Sequence, residues 1–114
     1  MQGLMMDMPL LISSILQSAA RHFPDVEVVS RRVEGDLHRY TYRECHDRSA
    51  RLASALTQQG VQIGDRVATL AWNGYRHMET YYAVGGMGAV IHTINPRLHP
   101  DQIAWIINHA GDSH

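Results

Sequence analysis

An α/β chain carrying a parallel β-α-β-α unit is predicted by four stretches. Arg66 to Trp72 and Ala89 to Ile94 are short, apolar and rich in β-branched residues, as strands of parallel sheets are. Between them lies a helical stretch, and Ile103, Ile106, Ile107 and Ala110 after them share one helical face. A helix, a β-hairpin and a capped helix precede this unit, so the predicted order is helix, hairpin, helix, strand, helix, strand, helix.

The first helix is predicted to start near Asp7 as N-cap, with Pro9 in its first turn. Leu11, Ile12, Ile15, Leu16, Ala19, Ala20 and Phe23 form its apolar face, and Pro24 ends it. Val26 to Val33 and Leu37 to Thr41 read as a hairpin around Glu34-Gly35-Asp36. Thr41 and Glu44 have the spacing of a capping box, in which each side chain satisfies a backbone N–H of the other residue. The second helix then runs to about Gln59. Cys45, Ser49, Leu52, Ala53 and Leu56 face inward, and Gly60 fits the left-handed position after its end. Asn73 is the expected N-cap of the third helix, from about Tyr75 to Met87, which carries Met78, Tyr81, Tyr82 and Val84. Gly85, Gly86 and Gly88 imply an early stop and close packing against the sheet. The strand from Ala89 to Ile94 should be covered on both faces. Pro96 and Pro100 hold Asn95 and His99 extended. Pro100 opens the last helix, Asp101 and Gln102 suit its positive end, and Gly111 stops it.

The two strands should be parallel and joined by a right-handed crossover. The last helix should lead to a third parallel strand, yet the sequence reaches His114 first. The expectation is a piece of a longer protein, since a buried strand left as an open edge invites association.

Composition narrows the function. With 114 residues, 45% apolar and 18% charged, the chain fits one globular unit. A net charge of −1 gives no reason to expect nucleic acid. No apolar run is long enough for a transmembrane segment. Met1 to Pro9 lacks the basic region of a secretory signal, and the lone Cys45 suits a reducing compartment, so a cytoplasmic location is expected. Every basic residue is an arginine. No lysine is available here for a phosphate loop or a Schiff base.

Candidate chemistry is sparse. The eight histidines are His22, His38, His46, His77, His92, His99, His109 and His114. Only His109 and His114 approach the spacing of paired ligands, and they straddle a glycine, so no metal site is expected. Cys45 falls on an apolar face, where a small buried residue is the ordinary reading and a nucleophile the weaker one. Arg43, Arg48 and Arg51 read as a solvated face in preference to a phosphate site. Trp72 and Trp105 read as packing residues with one polar edge. His92 interrupts an apolar strand near its carboxyl end, where parallel sheets bind ligands. It is either a hydrogen-bonded sheet-end histidine or part of a cleft. Asn95 and Arg97 either pin the following loop or shape that cleft. No catalytic residue, cofactor-binding residue or metal ligand is assigned.

The sequence resembles the N-terminal region of the adenylate-forming acyl-CoA synthetases, from about Pro9 onward. Thr41-Tyr42-Arg43-Glu44, Ala53, Leu56, Gly60-Val61, Gly64-Asp65-Arg66-Val67-Ala68 and Asn73 are similar to the opening pattern of the whole superfamily. The stretch from His92 to Pro100, with Gln102, Ile103 and Ile106 to Ala110, looks like the medium- and long-chain fatty acid–CoA ligase branch, with relatives acting on shorter or sulfur-containing acids. Gly111 departs from the acidic residue expected there, and Cys45 from the usual leucine.

The resemblance implies the incomplete N-terminal subdomain of the adenylate-forming fold, residues 1–114, truncated before the phosphate loop. It implies a parent that joins a carboxylate to ATP and then to coenzyme A, with magnesium and a lysine acting on the phosphates. ATP, Mg2+ and CoA are implied for that parent and none for these residues alone. The implied partners are the rest of the enzyme and a fatty acid or related carboxylate, with a homodimer as a further option. Two other readings remain: another adenylating enzyme such as an adenylation domain, and a small non-catalytic α/β binding module.

Overall fold

A computed structural model describes residues 3–114. Its elements follow the predicted order: α1 (Ile12–His22), β1 (Glu27–Arg31), β2 (Leu37–Thr41), α2 (Tyr42–Gln58), β3 (Arg66–Leu70), α3 (Tyr75–Gly86), β4 (Val90–Ile94) and α4 (Pro100–Ala110). β1 and β2 pair antiparallel, with Val28 opposite Tyr40. β3 and β4 pair parallel, with Val67 opposite Ile91 and Leu70 opposite Ile94.

Two apolar clusters hold these elements. Leu16 of α1, Tyr40 of β2, Cys45 of α2 and Tyr75 of α3 bury one another at the hairpin end. Val61, Val67, Val84 and Ala89 form the second cluster under the parallel pair, with Leu56, Met87 and Ile91 packed against it. The capping box of α2 is present. Glu44 N–H donates to Thr41 Oγ1 at 3.3 Å, and Thr41 N–H donates to a Glu44 carboxylate oxygen at 2.7 Å. Gly111 closes α4 at φ 64°, the left-handed region in which a side chain would be strained.

Several expectations need correction. α1 begins at Ile12 with Leu11 as N-cap, not at Asp7. Leu10 and Leu11 are exposed, so an earlier turn would have nothing to pack on; the Ser14 hydroxyl donates to Leu11 C=O instead. β3 ends at Leu70, which leaves Trp72 outside the strand, because β4 offers no partner beyond Ile94. α3 is capped from outside its own segment. Its N-cap is Gly74, not Asn73, and the Ser30 hydroxyl of β1 accepts from Tyr75 N–H at 3.0 Å. The two glycines that end α3 do not pack on the sheet. A side chain at Gly85 would meet open space, and one at Gly86 would touch Ser13 of α1. Gly88 does stop the helix, with φ 83°, and a Cβ there would meet the Ile63 side chain at 3.4 Å.

α3 packs against β4, and Val90 and Thr93 of that strand are exposed. α4 carries its apolar stripe at Ile103, Ile106, Ile107 and Ala110, but these are only half-buried and no α4 residue is fully buried. The radius of gyration is correspondingly large, 16.3 Å, against about 13 Å for a compact chain of this length.

Candidate functional site

A cleft of about 890 Å3 lies at the carboxyl ends of β3 and β4. Parallel sheets place their ligands at this end of the strands. One wall is the first turns of α3 with the segment before it, Trp72 and Asn73. The other is the loop after β4, Asn95 and Arg97. His77 and Tyr81 of α3 also line the cleft.

Each wall is held locally. Asn95 Oδ1 accepts from Arg97 N–H at 3.0 Å, so the loop is pinned by its own first side chain. His99 then caps α4: its Nδ1 accepts from Asp101 N–H at 3.3 Å, and Gln102 Oε1 accepts from His99 N–H at 3.2 Å. The Arg97 guanidinium crosses the cleft and sits 5.2 Å from the centre of the Trp72 ring, a cation–π contact. His77 hydrogen bonds to the Thr69 hydroxyl at 3.0 Å, which ties the helix to the strand beneath it.

Of the residues singled out from sequence, Asn95 and Arg97 line the cleft and His92 does not. His92 Nδ1 lies 2.9 Å from the carboxylate of Asp112, whose side chain is buried. It is therefore the hydrogen-bonded sheet-end histidine, fastening the segment after α4 to β4. Trp72 and Trp105 are not buried packing residues. Trp72 is the exposed wall under Arg97, and Trp105 stacks on His109 with ring centroids 4.5 Å apart. Trp72 and His77 are among the cleft residues that the sequence reading missed. The position of Trp72 just past β3 was the available signal, by the rule that drew attention to His92.

Arg48 does not belong to a solvated arginine face with Arg43 and Arg51. Its Nε and Nη2 donate to the two carboxylate oxygens of the buried Glu79, at 2.7 and 3.2 Å. That hydrogen-bonded pairing raises the Arg48 pKa. Cys45 is fully buried. Burial pushes its thiol pKa up and the Tyr40 phenol well above its usual range. A thiol in that state is a packing group, not a nucleophile. Among the described residues, no three His, Cys, Asp or Glu side chains gather around a point.

The cleft offers a cation, an amide and aromatic rings to a ligand. Arg97 is the one charged side chain in its lining, and His77 is occupied by Thr69. Without a carboxylate in the lining or a lysine anywhere in the chain, the described residues do not fit a magnesium–nucleotide site.

Comparison with known proteins agrees with this scaffold. Residues 16–114 match the AMP-binding enzyme family. The chain belongs to that family. It is 54% identical over 108 residues to a long-chain-fatty-acid–CoA ligase of Thermus thermophilus, covering 95% of this chain and 20% of that protein. It is 51% identical over 112 residues to a 3-methylmercaptopropionyl-CoA ligase of Ruegeria lacuscaerulensis, covering 98% of this chain and 21% of that protein. The structure is similar to a Mycobacterium tuberculosis fatty acyl CoA synthetase, with a TM-score of 0.81 and 28% identity, covering 90% of this chain and 20% of that one. The fold is thus that of the N-terminal subdomain of AMP-binding, adenylate-forming enzymes. The chain spans about a fifth of the length of these relatives. No helix among the described residues is long and apolar enough to cross a membrane.

Proposed function

We propose that these residues are the opening scaffold of a longer, ATP-dependent fatty acyl-CoA synthetase, ending before its phosphate loop. A carboxylate attacks the α-phosphorus of ATP to give an acyl-adenylate and release pyrophosphate. The thiol of coenzyme A then displaces AMP to give the thioester. The chain described here positions elements and contributes no reacting group; nucleotide, magnesium and acyl chain are held by residues outside it. The reading places the enzyme in the cytoplasm, with a homodimer as its candidate assembly.

The observation that carries the reading is the match to AMP-binding ligases along nearly the whole chain, at about a fifth of their length. It is supported by the similarity of the structure to a fatty acyl CoA synthetase of which it covers 20%. A second acid class has its own support, since the 51% identical relative is named for a sulfur-containing acid.

The test uses the native polypeptide that carries this sequence. Its mass should be several times 12.9 kDa. Purified, it should exchange pyrophosphate into ATP with fatty acids in an acid panel that includes 3-methylmercaptopropionate. Exchange with the sulfur acid alone would move the substrate class. A mass near 12.9 kDa, or no exchange with any acid, would overturn the ligase reading.

A further inference from the structure

Arg97 differs from the arginines that find a carboxylate. Arg32, Arg39, Arg43, Arg48 and Arg76 each reach one. Among the described residues the Arg97 guanidinium meets none and rests instead 5.2 Å from the centre of the Trp72 ring. Arg97 is exposed, and Trp72 is 53% exposed even with the guanidinium against it. This one contact joins the two walls of the cleft.

Neither backbone has to move for the contact to break. Asn95 holds the Arg97 loop twice: its Oδ1 accepts from Arg97 N–H at 3.0 Å, and its C=O accepts from Leu98 N–H at 3.3 Å. The His99 cap fixes the chain beyond the loop. Under the other wall, Leu70 is paired with Ile94, and Tyr75 N–H is held by Ser30. The bridge is therefore a pair of side chains on fixed bases. An exposed cation–π contact is weak and supplies no acceptor to the guanidinium N–H groups. A bidentate pair with an oxyanion is stronger, because it matches the fork of the guanidinium and opposes its charge. The lining favours such a guest: Asn73 adds an amide, and no carboxylate repels an anion.

We propose that the Arg97–Trp72 contact is a latch across the cleft, released by an oxyanion. In the closed form the guanidinium sits on the indole. A phosphate or carboxylate takes up the guanidinium N–H groups, draws Arg97 off the ring and frees the Trp72 side of the cleft. The oxyanion binds the open form and so shifts the population toward it. The latch follows from the cleft itself and stands apart from the ligase reading.

The experiment is fluorine NMR on the native full-length polypeptide labelled with fluorotryptophan, with Trp72→Phe assigning the Trp72 signal. Both latch residues are exposed, so their variants leave the two apolar clusters intact. Arg97→Ala should move the Trp72 signal. Inorganic phosphate and acetate, titrated separately, show which oxyanion moves the wild-type signal toward the Arg97→Ala position. Sodium chloride at equal ionic strength should leave it in place. Trp72→Ala removes the competitor for the guanidinium, so calorimetry should find the effective oxyanion bound about threefold more tightly than by wild type. A Trp72 signal that Arg97→Ala leaves unchanged would overturn the contact. A signal that chloride moves equally, or that neither phosphate nor acetate moves, would overturn the release. Weaker binding by Trp72→Ala would make the indole a support for the bound guanidinium and overturn the latch as well.

Discussion

Arg48 reaches from α2 to close two hydrogen bonds on the carboxylate of Glu79, which α3 holds inside the protein. The pair is asymmetric: the Glu79 side chain is 7% exposed and the Arg48 side chain 42%. Removing Arg48 strands a buried charge, whereas removing Glu79 frees a guanidinium that already meets water. Arg48→Ala should therefore destabilise the protein by about 2–3 kcal/mol, and more than Glu79→Gln does. Urea unfolding of both variants and the wild type measures this; equal losses would remove the asymmetry.

Acid should loosen the start of α2. The Glu44 carboxyl is held below its usual pKa, first by the Thr41 backbone N–H and then by the Thr41 hydroxyl. A depressed carboxyl pKa contributes stability that is present above the unfolded value, about 4.3, and lost as pH falls through the folded one. Asp36 and Glu34 are also lowered, by Arg32 and Arg76, and act in the same direction. Thermal melts followed by circular dichroism should show the melting temperature falling below about pH 5. Glu44→Gln should flatten part of that slope, and an unchanged slope in this variant would show that the cap does not sense pH. Thr41→Ala should cost about 1 kcal/mol at neutral pH.

Cys45 should stay silent to thiol reagents. It is fully buried between α1, the hairpin and α3, and burial raises its pKa. Labelling with a disulfide reagent at pH 8 should proceed only as fast as the protein opens, and become immediate in denaturant. Stoichiometric labelling of native protein within seconds would mean that the cluster around Leu16 and Tyr75 is not packed.

How much of this was legible beforehand follows the sequence distance of each interaction. The capping box of α2 joins residues 41 and 44, and Gly111 stops the helix it adjoins, so both are visible in the text. Periodicity likewise fixes which residues of α4 share its half-buried stripe. The Ser30 cap of α3 joins residues 45 apart, and Arg48 finds Glu79 across 31. No local pattern announces such pairs, because only packing of α2, α3 and the hairpin brings them together. Asp7 and Pro9 misled for a related reason. They carry the marks of a helix start, but a helix also needs a surface to lie on, and Leu10 and Leu11 have none. In the cleft, Asn95 and Arg97 were found because proline marks their loop. Trp72 was absorbed into a strand that its partner does not extend far enough to reach.

The Ser30 cap has a consequence for the cleft. The hairpin grips the first turn of α3 twice, through Ser30 on Tyr75 N–H and through Glu34, which accepts from Arg76 at 2.9 Å. That turn carries one wall of the cleft, while the hairpin never enters it. The hairpin thus works as a remote set-screw: a change in its length or turn moves the wall beside His77 without touching any lining residue. Diversification of the binding surface is open to a part of the chain that selection on the lining would never see.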